Sequence, residues 1–516
     1  MKKLRPPFAL FALTLLSCSA FSSSSSKAIS YSSGGITPAE SSLSKEADSS
    51  SETISSSEVI ASSSDSISIP QRELALSDFF DHHNKANITI SASKEVFTFL
   101  SAYQGEKDGK YNDAYLPADI HIELLGQHYD FPCSGIRVKG NTSRAHFFER
   151  GKFTKDVHFK LNFKATFDGE IYNNPLLSSY KVDWSEDAAG RKTRKDRNFL
   201  GLEKLDIKYI PRNTVTMPGC LLREIYCYDA FRDEGIMAPY ANLAHVTLSA
   251  GEESVDMDYE VIETIDKEFL KRRYSKDEAK GNLYKCVYNG MGKADLTRDG
   301  AVDKSTGERV EHGKIGVEDN YNRYVPVYQL KTNDDLGEGS DFSDMASFIM
   351  KLRDCVYETD QTIEDLEAIL DVDQFLKMSA VSYLLGNFDD QRYDYNNYYL
   401  YFRPSDNKAV IIPYDWDWSL GLDLSGRMAG LAPLENYTYD CGTVSNLYLA
   451  TLFGTDSTSY SQEAMKSTYL SYVLAAKDTV LKEEKYRAFA EIFGYSDHQE
   501  TRDVLSYMSA KRIAAK

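Results

Sequence analysis

The stretch AVIIPYDWDWSLG, residues 409–421, is the one on which the fold prediction depends, because an apolar run leads directly into two aspartates. The apolar residues and the proline are typical of a buried strand. Alternate residues of an extended strand lie on one face about 7 Å apart. Asp415 and Asp417 are therefore expected to flank one small pocket, while Trp416 and Trp418 point the other way into packing. Since Mg²⁺ binds one or two carboxylates together with substrate phosphates, the stretch predicts a magnesium–phosphate site at the end of a strand.

The preceding segment, GNFDDQRYDYNNYYLYF at 386–402, predicts a second polar cluster beside the first. A helix is expected to end near Gly386, and a loop rich in Asp and Asn follows it. The runs YYLYF and AVIIPYD then form the two strands of a hairpin, joined by a turn over RPSDNK. The hairpin brings two polar groups to one end, which are Asp389, Asp390, Asn396 and Asn397 on one arm and Asp415 and Asp417 on the other.

The order of these polar residues matches the chemistry of phosphoryl transfer. Protein kinases place an Asp base in a loop, an Asn a few residues later, a hairpin, and then a metal-binding Asp. The same order here is Asp390, Arg392, then Asn396 or Asn397, and after the hairpin Asp415. It predicts a base, a cation near the transferred phosphate, and two metal ligands. Asp and Asn also serve as simple turn residues, an explanation that suits any single one of them better than the ordered set.

The rest of the chain predicts an α+β protein. Patterns of alternation predict strands near residues 88–93, 118–126, 135–140, 156–163, 204–210, 243–251 and 258–266, and helical spacing predicts helices at 220–235, 342–360, 371–387 and after about 457. A sheet-rich N-terminal half is therefore followed by a mainly helical C-terminal half.

The first residues predict export and a lipid anchor. A basic start, MKKLR, precedes an apolar run to Leu16, and the ending Leu-x-Ser-Cys at Cys18 is similar to the lipobox of bacterial lipoproteins. Residues 1–18 are thus expected to be a lipoprotein signal peptide, with an ordinary cleaved signal and an incidental Cys18 as the alternative, and residues 19–70 a serine-rich, disordered tether. Residues 71–516 form the folded part. The expected location is the cell envelope, lipid-anchored at the outer membrane or cell surface.

Seven segments in order resemble the CotH family of spore-coat and secreted kinases. They are GIRVKGNTSR, LLREIYCYDAFRDEGIMAPYANLAHVTL, YEVIETIDKEFLKRRY, GNLYKCVYNGMGKADL, YQLKTND, NNYYLYF and IPYDWDWSLG. Together they cover roughly residues 88–425, the expected core, with a helical region at 426–516. The resemblance implies an atypical, two-lobed, protein-kinase-like fold. It also implies ATP and Mg²⁺ (or Mn²⁺) as cofactors.

The resemblance carries roles onto individual residues. Asp390 is similar to the family's catalytic Asp, although Asp389 beside it is an alternative, and Arg392 is grouped with it. Asn397 and Asp415 match the metal-binding residues, and Asp417 assists. Glu224 matches the helix carboxylate that pairs with the phosphate-binding lysine. That lysine is either Lys160 or Lys208, and Arg144 after the Gly140–Ser143 turn adds charge near phosphate. The spacing from Asp390 to Asn397 is longer than in ordinary kinases, and Tyr414 stands where the family commonly has Trp.

The amino-acid composition limits the classes of function that the protein can have. A net charge of −19 argues against nucleic acid as a partner, because phosphate backbones require clustered Lys and Arg. The leading hypothesis is an anchored protein kinase that transfers the γ-phosphoryl group of ATP to Ser or Thr of a secreted or surface protein. ATP is scarce outside the cytoplasm, so the alternative is a kinase-fold structural or adhesion protein with little turnover. A glycan-acting protein, using the paired carboxylates, is the third hypothesis.

Overall fold

The computed structural model describes residues 72–106, 110–140, 143–209, 222–287, 294, 296, 327–333, 342–357, 362–387, 389–392, 396–422, 431 and 463–515. Arg72–Lys516 form one compact unit. Several predicted features lie outside the described residues: the signal peptide with Cys18, the serine-rich tether, and Asn141 and Thr142 of the predicted phosphate-binding turn. Within the described ranges, no helix is both long enough and apolar enough to cross a membrane.

Seven strands close into a barrel in the order β1-β2-β3-β6-β7-β9-β8. Their bounds are β1 Ala86–Ser91, β2 Leu116–Leu124, β3 Gln127–Lys139, β6 His158–Asn162, β7 Lys204–Tyr209, β8 Ala241–Ala250 and β9 Glu253–Glu263. Only the β1–β8 pair that closes this barrel is parallel. A short hairpin of β4 (Phe148–Glu149) and β5 (Lys152–Phe153) is a separate sheet.

The barrel follows from strict alternation along its strands. On β3, Ile136 and Val138 are buried in the apolar core, together with Phe159 and Leu161 of β6. Successive side chains of a strand point to opposite faces, so the intervening polar residues lie on the other face of the wall. That second face carries the charged residues of the candidate site.

A second sheet has the order β11-β10-β12-β13. Its strands are β10 Leu283–Cys286, β11 Tyr328–Leu330, β12 Tyr398–Phe402 and β13 Ala409–Pro413. The predicted hairpin is confirmed: β12 and β13 are antiparallel, with Tyr398 opposite Pro413 and Phe402 opposite Ala409. All residues of both strands are buried, which explains their uninterrupted apolar and aromatic sequence.

Eleven α-helices lie among the described residues. They are α1 Leu76–Phe80, α2 Lys94–Gln104, α3 Ala188–Lys195, α4 Arg223–Asp233, α5 Lys267–Arg273, α6 Ser343–Tyr357, α7 Ile363–Glu367, α8 Val372–Leu385, α9 Glu463–Val480, α10 Glu483–Ile492 and α11 Gln499–Ala514. Helix α8 ends as predicted at Gly386, whose φ of 62° forms a left-handed C-cap. The α+β class is therefore confirmed, whereas a division into two lobes stays a prediction.

Candidate active site

Lys208 joins the barrel to the acidic stretch after β13. Its Nζ contacts the carboxylate of Glu224 on α4, and it lies 2.5 Å from Asp415 Oδ1 and 3.0 Å from Asp417 Oδ2. The Glu224 side chain is only 1% exposed, and that of Lys208 is 10% exposed. One buried ammonium group thus holds three carboxylates that come from two separate parts of the chain.

The Glu224 side chain is held in place by a residue one turn further along helix α4. Glu224 Oε1 accepts a hydrogen bond from the hydroxyl of Tyr228 at 2.6 Å and from the backbone N–H of Trp416 at 3.3 Å. The same hydroxyl accepts a hydrogen bond from the backbone N–H of Asp415 at 3.0 Å. Tyr228 therefore ties the helix carboxylate to the acidic stretch.

The two aspartates converge by a turn rather than by a strand pleat. Strand β13 ends at Pro413, and Asp415 has a φ of 60°, in the left-handed region that non-glycine residues seldom adopt. The predicted strand spacing of Asp415 and Asp417 is therefore wrong, because the strand stops before either residue. Even so, Glu224, Asp415 and Asp417 each present a carboxylate oxygen, and these oxygens lie within 4.8 Å of one another.

The prediction that the tryptophans point into packing is confirmed for Trp416. Its side chain is fully buried and packs edge-on against Phe231 of α4, with ring centroids 4.7 Å apart. This packing holds the turn against the helix, and so it fixes the direction in which the flanking carboxylates point.

The carboxylates around Lys208 outnumber its single positive charge. Burial opposes ionisation of Asp415, but Lys208 outweighs that effect and lowers the pKa of Asp415 to about 2. Burial raises the pKa of Asp417 to about 7, with Asp415 adding repulsion and Lys208 opposing it. Burial, reinforced by Glu224, also raises the pKa of Glu260 on β9 well above its usual value. Among the described residues, Glu260 Oε1 is buried with no hydrogen-bond partner.

This donor set fits a divalent metal ion. Carboxylate oxygens are the preferred ligands of Mg²⁺ and Mn²⁺, and the surplus negative charge would be neutralised by such an ion. Asp415 and Asp417 are the partly exposed members of the group, whereas Glu224 is buried against Lys208 and Tyr228.

The two candidate bases, Asp389 and Asp390, lie in the loop after α8 and differ in burial and in hydrogen-bond partners. The Asp390 side chain is fully buried, and its carboxylate accepts hydrogen bonds from the backbone N–H of Arg392 at 2.9 Å and from Arg392 Nε at 2.7 Å. Asp389 is only half-buried, and it accepts a hydrogen bond from Asn397 Nδ2 at 3.1 Å. A base must reach its substrate, so the burial of Asp390 favours the alternative, Asp389. The Arg392 guanidinium is bound to Asp390 and the carbonyl of Asn387.

The loop and the acidic stretch meet, as the hairpin predicted. The Asn397 carbonyl accepts a hydrogen bond from the backbone N–H of Tyr414 at 3.2 Å. Asn387, fully buried, donates from Nδ2 to the Asp415 carbonyl at 3.3 Å and accepts from the Asp389 N–H at 2.8 Å. The predicted base region and the predicted metal ligands therefore belong to one hydrogen-bonded site.

Two predicted phosphate-contacting residues have other partners. Lys160 Nζ lies 3.2 Å from the carboxylate of Asp206, its cross-strand neighbour on β7. Arg144 donates to the carbonyls of Gly140 at 2.8 Å and Gln104 at 2.7 Å. Of the two lysines left open by the sequence, Lys208 is the one paired with Glu224, while Lys160 lies on the adjoining part of the wall.

Sequence analysis missed several residues of the site. Tyr228, Asn387 and Glu260 are buried, and Tyr228 and Asn387 both contact the backbone of Asp415, which is distant in sequence. Lys139 and Lys285 lie beside the acidic stretch, because their ammonium groups lie 5.3 Å and 4.7 Å from the ring centroid of Tyr414. Each of these polar residues is visible in the sequence, but a residue type by itself does not indicate which distant residue it contacts.

Comparison with known proteins gives one family. The family described as CotH kinase protein matches residues 173–492. No curated protein sequence matches the chain.

Two solved structures show a distant likeness. One is the HipA–HipB toxin–antitoxin complex with operator DNA from Shewanella oneidensis MR-1, at 13% identity and a TM-score of 0.26, covering 60% of this chain and 57% of that chain. The other is the proinflammatory kinase CtkA of Helicobacter pylori, at 10% identity and a TM-score of 0.24, covering 60% and 87%. The chain thus spans a little over half of the first of these proteins. Neither TM-score supports a conclusion about the fold.

Proposed function

The chain belongs to the CotH kinase protein family, and from this premise we propose that it transfers the γ-phosphoryl group of ATP to Ser or Thr of an extracytoplasmic protein. The observation that carries the proposal is the contact of Lys208 with Glu224 and Asp415. Kinases need a lysine that is held by a helix carboxylate and directed at phosphate, next to a metal-binding aspartate. The proposal is supported by the position of Lys208, which lies within hydrogen-bond distance of the helix carboxylate of Glu224 and of Asp415.

Each residue has a defined part in this proposal. Asp415 and Asp417 would hold Mg²⁺, with Asn397 Oδ1 as a further ligand, because Asn397 Nδ2 is already used by Asp389. When bound, Mg²⁺ neutralises charge on the β- and γ-phosphates. Lys208 contacts phosphate oxygens, and its ammonium group is kept charged because the surrounding carboxylates raise its pKa against the effect of burial.

Asp389 accepts the proton of the attacking hydroxyl group. Its carboxylate is oriented by Asn397 and its backbone by Asn387, so it is positioned without being buried. Asp390 and Arg392 act as positioning residues, because their mutual ion pair fixes the loop. General-base catalysis of this kind contributes about 10²- to 10⁴-fold to rate.

A phosphotransfer assay tests the proposal. The full chain is incubated with γ-labelled ATP, Mg²⁺ or Mn²⁺ and a mixture of extracytoplasmic proteins. We expect Lys208→Ala and Asp415→Asn to lower labelling by about 100-fold or more, the loss typical of removing one group that stabilises transition-state charge. Asp406→Asn, in the exposed β12–β13 turn, is the matched control and is expected to label normally.

Other outcomes select other functions. Absence of label from the wild-type chain, together with no nucleotide-dependent rise in melting temperature, would reject the kinase and favour a structural or adhesion protein. A rise in melting temperature with an oligosaccharide instead would favour a glycan-acting protein, since a ligand that binds the folded state stabilises it.

Export and anchoring remain part of the proposal and rest on the sequence around Cys18. Metabolic labelling with a radioactive fatty acid is expected to mark the wild-type chain and not Cys18→Ser. Fractionation should then place the wild-type chain in the membrane fraction, and equal labelling of the variant would reject the lipid anchor.

A further inference from the structure

A row of cations lies beside the acidic cluster on the face of the barrel wall that carries Lys208. Arg137 and Lys139 alternate on β3, and Lys160 of β6 is the cross-strand partner of Arg137. Asp206 of β7 is in turn the partner of Lys160 and lies two residues before Lys208. Alternate and directly opposed residues of a sheet share a face, so these side chains form one continuous polar surface.

Two lysines from the second sheet complete this row. Lys285 of β10 and Lys139 both place their ammonium groups over the ring of Tyr414. Lys331, which follows β11 and donates to Gln329 at 2.8 Å, interacts electrostatically with Lys160 and Arg137. These five basic residues, Arg137, Lys139, Lys160, Lys285 and Lys331, form what we call the cationic strip. Tyr414 directly precedes Asp415, so the strip begins at the proposed metal site.

The described residues leave the cationic strip with a surplus of positive charge. Asp206 lies 3.0 Å from Lys139 and 3.2 Å from Lys160, and Asp113 lies 3.4 Å from Arg137. The Asp113 side chain is 93% exposed, so water screens this second pair. With Asp415, which interacts with Lys139 and Lys285, the five basic side chains of the strip face three carboxylates. A charged groove of one sign attracts and orients a ligand of the opposite sign, even though the whole chain is acidic.

The chain itself contains a sequence with the matching chemistry. The motif Ser-Ser-Ser-acid occurs at 49–52 (SSSE), 55–58 (SSSE) and 62–65 (SSSD). Each occurrence offers three hydroxyl groups and a carboxylate one to three residues downstream. Between residues 40 and 66 there are six acidic residues, Glu40, Glu46, Asp48, Glu52, Glu58 and Asp65, and one lysine, Lys45.

We propose that the cationic strip binds an acidic, serine-rich acceptor, and that this acceptor is residues 49–65 of the chain itself, offered in trans by a second copy or as a free peptide. The proposal rests on the proposed kinase function and names its substrate class. The strip lies next to Asp415, so an acidic residue bound there would hold a neighbouring serine close to the transferred phosphate.

The reaction balances with ATP as the only co-reactant. The serine Oγ forms a bond to the γ-phosphorus, and the bond from that phosphorus to the β,γ-bridging oxygen breaks. ADP leaves with the electron pair, and the hydroxyl proton passes to the carboxylate of Asp389. Each phosphoserine adds about −1.5 to −2 charge. A modified triplet therefore binds the strip more tightly than before, and we expect phosphates to accumulate in clusters within a triplet.

The experiment uses the full chain with ATP and Mg²⁺, and two peptides supplied in trans. The first peptide has the sequence of residues 47–66. The second carries Glu52→Gln, Glu58→Gln and Asp65→Asn, which keep side-chain size and remove charge. We expect kcat/KM to be about tenfold higher for the acidic peptide, and mass spectrometry of the full chain to locate phosphate on serines of the three triplets.

A double-mutant comparison assigns this preference to the strip. Lys331→Gln is expected to lower kcat/KM several-fold more for the acidic peptide than for the amide peptide. Lys377→Gln, which removes a lysine of an exposed ion pair with Asp373 on α8, is the matched control and should preserve the preference.

The results also separate this inference from the proposed function. Equal labelling of the two peptides, or phosphate on other proteins and none on the triplets, would overturn the acceptor assignment and leave the kinase intact. No label on any substrate, with no nucleotide-dependent rise in melting temperature, would overturn both.

Discussion

At the scale of single residues, the neighbouring Asp389 and Asp390 differ in burial, and the proposed function gives them different roles for this reason. Asp390 is fully buried against Arg392. Removing one partner of a buried ion pair typically costs about 3–5 kcal/mol, because the other charge is left without compensation. We therefore expect Asp390→Asn to lower the free energy of unfolding by about 3 kcal/mol, measured by urea denaturation.

The matched change at Asp389 should behave differently. Asp389 is half-buried and accepts from Asn397, so Asp389→Asn is expected to change stability by less than about 1 kcal/mol. The rate of phosphotransfer should fall by about 10²-fold or more, since the proton acceptor is lost. Normal turnover by Asp389→Asn with none by a folded Asp390→Asn would return the role of base to Asp390.

Lys285 predicts a pH dependence of stability. Partial burial, followed by repulsion from Lys139 and Lys331, lowers the pKa of Lys285 to about 7, while the other charged groups that act on it are Lys160 and the favourable Asp415. An unfolded chain keeps this lysine protonated to about pH 10.4. Between pH 7 and 10 the unfolded state therefore binds more protons, and the free energy of unfolding rises with pH.

The measurement compares wild type with Lys285→Met at pH 7, 8 and 9. The difference in free energy of unfolding, wild type minus variant, is expected to increase with pH, with about 1.4 kcal/mol per pH unit as the ceiling for one group. A difference that stays constant or decreases over this range would contradict the assigned direction.

At the scale of elements, Tyr228 couples helix α4 to the turn after β13. Its hydroxyl donates to Glu224 and accepts from the Asp415 N–H. Tyr228→Phe leaves the Asp415 N–H without its partner and removes one of the two hydrogen bonds to Glu224 Oε1, and each such loss costs about 1–3 kcal/mol. We expect lower stability and weaker metal affinity, measured by urea denaturation and by titration calorimetry with Mn²⁺.

A second tyrosine provides the control for this prediction. The hydroxyl of Tyr172 donates to the Tyr115 carbonyl at 2.8 Å in the barrel region. Tyr172→Phe should lower stability by a similar amount and leave Mn²⁺ affinity unchanged. If both variants bind Mn²⁺ as the wild type does, the hydroxyl of Tyr228 does not position the metal ligands.

At the scale of the whole molecule, a buried ion pair connects α4 to the C-terminal helix α11. Arg223 Nη1 lies 2.7 Å from Glu500 Oε2, and both side chains are at most 3% exposed. Glu500 Oε1 also accepts from the backbone N–H of Leu222, which precedes α4, at 2.8 Å. The C-terminal helices therefore support the helix that presents Glu224 to Lys208.

Breaking this ion pair should lower the stability of the whole molecule. Glu500→Gln is expected to lower the free energy of unfolding by about 3–5 kcal/mol, measured by urea denaturation. Asp478→Asn, which breaks the exposed pair of Asp478 with Arg512, is the control and should cost less than about 1 kcal/mol. Equal effects of the two substitutions would show that α11 does not support α4 in this way.

Much of the architecture could be predicted because it is encoded locally. Period-two alternation located the seven barrel strands, and the apolar runs around RPSDNK located the β12–β13 hairpin with its polar end. The short strands β10 and β11 were missed, because three or four residues paired with partners far along the chain give no pattern of their own.

The sequence by itself determined which residue types meet at the end of β13, because the order of Asp, Asn and Asp around a hairpin is a local property. Only the tertiary structure shows which of Lys160 and Lys208 pairs with Glu224, since the two lysines lie on one face and differ in the partner across space, Asp206 or Glu224. The left-handed turn at Asp415 and the convergence of the cationic strip depend in the same way on contacts between distant segments. The spacing of residues within one segment does not specify these contacts, because each contact joins side chains that are far apart in the sequence.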